Sequence, residues 1–161
     1  MAIALMTLTI LADLGLGFAA CYGFLHVSHG AGSESYHFVT GLFAAFLSVF
    51  AHCMSMFYFI GTGKVIREAI QEHELDEGPN EEARRFKLSY FPVASFTIAA
   101  TMATPILGGA AQAGKVPQGV HLAAALGAIA LNAGATALAW RYMWLNQGLI
   151  AEVEARCPPG S

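Results

Sequence analysis

The sequence predicts an all-α integral membrane protein, a four-helix bundle with both termini in the cytoplasm and helices 2 and 4 extending beyond the bilayer. Three observations carry that prediction. The 161 residues are 56% hydrophobic and only 12% charged, about half the charge of a soluble domain. The charges leave four long gaps. Asp13 is the only formal charge before Glu34, and none occurs across residues 36–63, 88–114 or 116–140. Each gap exceeds the roughly 20 residues that cross a hydrocarbon core as a helix. Finally, the basic residues gather on one side of the predicted spans.

Lipid cannot satisfy free backbone amides, and the alternating polarity of barrel strands is absent, so each span must be a helix. The four form one domain over 1–161, with spans at about 3–26, 37–62, 88–110 and 119–144. Helix 1, predicted at 3–26, does not read as a signal peptide: it lacks a basic start, its apolar run is long, and Asp13 sits in its middle. Helix 2, predicted at 36–71, continues past the membrane as KVIREAIQEHEL, apolar at Val65, Ile66, Ala69 and Ile70 with charges between. The segment EHELDEGPNEEARRFK reads as a polar loop turning at Gly78 to Asn80. Helix 3, predicted at 86–110, contains Pro105, which should kink it. Helix 4, predicted at 119–151, ends in the amphipathic stretch LNQGLIAEVEAR, and the two extensions are expected to pack together.

Orientation follows from the basic residues. Lys64, Arg67, Arg84, Arg85 and Lys87 flank the middle connection, Arg141 and Arg156 follow helix 4, and only Lys115 lies on the other side. The positive-inside rule then places both termini in the cytoplasm, as for a bacterial inner membrane protein, with Trp140, Tyr142 and Trp144 as an interfacial aromatic belt. Small residues on helix 4 (Ala123, Gly127, Ala130, Gly134 among them) and Gly15 and Gly17 on helix 1 predict faces packed against protein, within the bundle or in a homo-oligomer. The net charge of −3 argues against nucleic acid. Cys21, Cys53 and Cys157 have no paired spacing and read as inert thiols.

Two polar levels are candidates for chemistry. At the outer rim, His26, His29, Glu34 and His37 fall on either side of the first turn, and His121 opens helix 4 at the same level. Imidazole suits zinc, copper, iron and haem, and Glu34 suits the harder ions, so a copper, iron or zinc ion on His26, His29, Glu34, His37 and His121 is one expectation. A b-type haem is the other, with His37 as one axial ligand and His121 or His26 as its partner. His37 and His52 share a helix, one per leaflet, and in this they resemble the ligands of paired-haem membrane cytochromes. Their separation of 15 residues rotates one by ~60° from the other, and no second histidine lies at the inner level. One bis-histidine haem is therefore the most the sequence supports.

The second level is the bilayer midplane, where Asp13, His52, Thr97 or Thr101, and Asn132 lie at similar depth. Intramembrane ionisable groups pair inside the bundle, and Asp13 with His52 is the expected pair. Cys53, Met54 and Met56 beside His52 would suit copper(I), although their spacing reads better as core packing. The expected function is electron transfer through a redox-active metal or b haem, within a larger complex or to quinone, with Asp13 and His52 as proton relay or quinone contact. The alternatives are a non-catalytic accessory subunit or helical oligomer without cofactor, and a proton-coupled transporter gated by the same pair. No strained nucleophile and no phosphate loop is present, so nothing points to hydrolysis.

Overall fold

The computed structural model describes residues 1–29 and 34–157, with side chains outside 26–29 and 34. Four helices account for nearly all of it: α1 (Ala2–His29), α2 (Glu34–Glu72), α3 (Gly78–Gln112) and α4 (Gln118–Arg156). All four are long and apolar enough to span a membrane. At a rise of about 1.5 Å per residue they measure about 42 to 58 Å.

Consecutive helices pack side by side, α1 also packs on α4, and α2 meets α4 across the middle. Among the described residues α1 and α3 make no such contact, so α2 and α4 form the short diagonal of the bundle. The distribution of residue types is inverted relative to a water-soluble bundle. Ala12, Ala44, Ala51, Ala94, Ala135, Ser48, Thr97 and Thr101 are buried, while Phe18, Phe43, Phe46, Phe50, Phe96 and Ile106 are more than half exposed. Small residues let backbones approach, and large apolar ones face a solvent as apolar as themselves. This surface is compatible with an integral membrane protein.

Helix 3 begins eight residues before its predicted start, and what read as a polar loop is mostly helix. The α2 to α3 connection is only residues 73–77. Glu74 takes a left-handed φ of 50°, and the Leu75 amide donates back to the Ile70 carbonyl at 3.0 Å, closing a Schellman motif. Asp76 Oδ2 then accepts from the Gly78 amide at 3.0 Å, and Pro79 occupies the first turn, where a missing N–H costs nothing. Ala83, Phe86 and Tyr90 follow at helical spacing and are buried. The charged residues between them form the solvated face.

The early start gives the extensions a third member. Ile66 and Ile70 of α2, Ala83 and Phe86 of α3, and Leu149 and Val153 of α4 join one apolar core. These three helices continue the bundle as a stalk, and Ala2 and Leu5 at the start of α1 join the same core. Phe86 stacks on Tyr142 at 5.0 Å, so Tyr142 belongs to the stalk core. Trp140 is also turned inward, donating to Thr9 Oγ1 at 3.2 Å. Of the expected aromatic belt, Trp144 is the exposed member.

At the other end α3 stops at a second Schellman turn. Gly114 has φ 68°, its amide donates to Ala111, and the Lys115 amide donates to Ala110 at 2.9 Å. Helix 3 runs unbroken through Pro92 and Pro105. Pro105 has no N–H, so the carbonyl one turn earlier, that of Thr101, has no helical donor.

Candidate functional site

A cavity of about 650 Å³ lies in the half of the bundle nearest the α1–α2 and α3–α4 turns. That volume is within the range of about 300–1,000 Å³ typical of small-molecule and cofactor sites. All four helices contribute to its wall, which is chiefly apolar and rich in glycine, with His37 and His121 as its histidines.

The wall is built twice over. Each α1 residue in it has an α3 counterpart 85 positions later: Leu16 and Thr101, Ala19 and Thr104, Ala20 and Pro105, Gly23 and Gly108, Phe24 and Gly109. On α2 and α4 the offset is 84: His37 and His121, Phe38 and Leu122, Gly41 and Ala125, Ala45 and Ile129. The two halves of the chain therefore present corresponding positions to the cavity. The sequence hides this relation, because the matched residues are seldom identical.

The two histidines are counterparts, one on α2 and one on α4. Their ring centroids are 6.2 Å apart, at an interplanar angle of 69°. Each ring is backed by a glycine of the neighbouring helix. A Cβ at Gly23 would lie within 2.9 Å of both His37 ring nitrogens, and one at Gly108 would lie 3.0 Å from His121 Cε1 and 3.3 to 3.4 Å from its two nitrogens. Only a residue without a side chain leaves room for the ring at Gly23. His121 Nδ1 lies 3.2 Å from the Thr104 carbonyl. A carbonyl only accepts, so Nδ1 carries the proton and Nε2 keeps a free lone pair, the tautomer that ligates a metal.

Below the cavity lies a buried polar cluster centred on Asn132. Its Oδ1 accepts from Ser48 at 2.5 Å and from His52 Nε2 at 3.0 Å. Its Nδ2 donates to Thr101 Oγ1 at 2.8 Å and to the Ala128 carbonyl at 2.7 Å. All four hydrogen-bonding positions of the amide are used. His52 Nε2 therefore carries the ring proton, and Nδ1 accepts from the Tyr90 hydroxyl at 3.0 Å. Ser48 and Asn132 are 84 positions apart, the offset of the two histidines, so this bond also joins counterpart positions of α2 and α4. Thr101 belongs to both the cluster and the cavity wall.

Several expected site residues are distributed differently. His37 and His121 come together. The side chains of His26, His29 and Glu34 lie outside the described residues. Among the described residues no group of three or more His, Cys, Asp or Glu gathers as a metal cage would. His52 spends both ring nitrogens on Tyr90 and Asn132, and Asp13 sits half-buried beside Thr136, within electrostatic reach of His52. Depth is legible in a sequence, but the direction a helix face points depends on packing. Ser48 and Tyr90 were not anticipated, since serine and tyrosine are common in spans. The one available signal is that Ser48 sits one turn before His52. Met54 and Met56 pack against the apolar core, and the three cysteines are free thiols.

The small-residue face of helix 4 is split. Ala128 and Ala135 pack inside, whereas Ala123, Gly127, Ala130 and Gly134 are exposed. Compared with family models, curated proteins and solved structures, the chain has no match.

Proposed function

We propose that the chain is a membrane-bound b-type cytochrome holding one haem between His37 and His121 and carrying electrons within the bilayer. The observation that supports this best is the 6.2 Å separation of the two rings across the cavity. His37 from α2 and His121 from α4 would hold the haem iron through their ring nitrogens. The protonated Nδ1 of His121, the glycine behind each ring and the apolar wall fit the same group. Haem would supply a one-electron couple there. The protein's part is to fix the two ligands, exclude water and set the dielectric. A single copper, iron or zinc ion is less well supported, because two described side chains leave its coordination incomplete.

The positive-inside distribution of Lys and Arg supports a cytoplasmic stalk, cytoplasmic termini and a cavity in the outer leaflet, as in a bacterial inner membrane. Transfer to or from a larger complex or a quinone would then occur near the outer face. The exposed small-residue face of α4 supports docking on another helix, of a second copy or of a partner subunit. A non-catalytic accessory subunit is the second reading, and it rests on that face alone.

An optical spectrum of protein purified in mild detergent tests the proposal. A Soret band at one haem per chain is expected, with the low-spin signature of two nitrogen ligands. That signature should disappear in both His37→Ala and His121→Ala. Protein that stays colourless after haem reconstitution would remove the reading and leave the accessory one.

A further inference from the structure

Resting on the haem reading, we propose that His52 takes up one proton when an electron enters the cavity and releases it on reoxidation. A titratable ring buried inside four spans is costly to keep without a use. This ring is joined to the cavity wall: His52 Nε2 donates to Asn132, Asn132 donates to Thr101, and Thr101 lines the cavity. An amide does not pass protons readily, so the link fixes the ring's position under the cavity and the coupling itself is electrostatic.

The groups facing His52 can be taken helix by helix. On α1, Asp13 is close enough to act on it electrostatically. On α3, Tyr90 donates to Nδ1. On α2 itself, the neighbouring residue is Cys53. On α4, Asn132 bonds the ring and carries no charge. Proton uptake therefore has one open atom, Nδ1. The new N–H turns toward the Tyr90 oxygen, whose own hydrogen rotates away, and the Nε2 bond to Asn132 is kept. The proton comes from bulk water and the electron from an external one-electron donor, so one negative and one positive charge enter together.

The 15 positions from His37 to His52 correspond to about 20 Å along α2. One charge at about 20 Å and an effective dielectric of about 20 raises the proton affinity of His52 roughly fourfold. By reciprocity the midpoint potential falls by the same factor as pH rises past the titration of His52. At 59 mV per tenfold change for one electron, that is a total shift of about 35 mV.

Potentiometric titration of the haem-loaded protein in detergent, repeated over the pH range in which it stays folded, reads this out. The expected result is a sigmoidal fall of that size in wild type and a flat line in His52→Gln, whose amide can still donate to Asn132. Tyr90→Phe removes the donor to Nδ1 and should move the sigmoid to higher pH, which keeps a test available if the glutamine variant does not fold. A haem-bearing protein with a flat wild-type potential overturns this inference alone. So does a sigmoid unchanged in His52→Gln or unmoved in Tyr90→Phe. Protein that binds no haem overturns the parent reading as well.

Discussion

Replacing Asn132 with leucine deletes one side chain of similar size and with it four hydrogen bonds, three of them between helices: to Ser48, His52 and Thr101. The fourth, to the Ala128 carbonyl, is local and that oxygen retains its helical partner. Ser48 can turn to a carbonyl of its own preceding turn, and Thr101 can do likewise. The His52 Nε2 loses its partner in either tautomer, and one orphaned buried polar atom costs about 1–3 kcal/mol. Counted another way, interhelical bonds in bilayers average about 0.6 kcal/mol, so three amount to about 2 kcal/mol. The two routes agree on a loss of about 2–3 kcal/mol. Reversible unfolding by denaturing detergent in mixed micelles, followed by fluorescence of Trp140 and Trp144, measures it. Thr101→Val removes one bond of the set and should cost about a third as much. An Asn132→Leu protein within about 0.5 kcal/mol of wild type would refute the claim that the cluster holds the helices in register.

Gly23→Ala places a methyl group against the His37 ring and should lower the haem-to-protein ratio more than Gly108→Ala, whose methyl meets the His121 ring at 3.0 to 3.4 Å. Gly17→Ala, with open space around its new Cβ, should leave that ratio unchanged. Phe86→Ala in the stalk removes a buried ring stacked on Tyr142 and should destabilise by about 3 kcal/mol in the same unfolding assay. Isoleucine at Gly127 and Gly134, both exposed with nothing near their Cβ positions, should leave the monomer's stability unchanged. A drop in oligomer size by light scattering or crosslinking would place a partner helix there.

The number, placement and approximate length of the helices were legible because bilayer thickness translates directly into uninterrupted apolar runs. The approach of His37 to His121 was legible as a shared level, since both open a helix after a turn on the same side. Three things were not. The start of α3 was hidden because the charges of EEARRFK resemble a loop, although Pro79 in a first turn and the spacing of Ala83, Phe86 and Tyr90 were there to be read. The partners of His52 were hidden because helix rotation is set by packing: Tyr90 and Asn132 take its two ring nitrogens, with Asp13 within electrostatic reach of the ring. The internal correspondence was hidden because counterpart positions differ in residue type and in size, Phe24 answering to Gly109 and Ala45 to Ile129.

That correspondence has a consequence for how any cofactor sits. A planar macrocycle with its own approximate dyad, entering a pocket whose two sides carry counterpart positions, would seat in two ways that differ by a half turn. Only unlike pairs such as Leu16 and Thr101, or Ala19 and Thr104, tell the two apart. The ratio of insertion isomers, visible as doubled methyl resonances, would gauge how far the two halves have diverged.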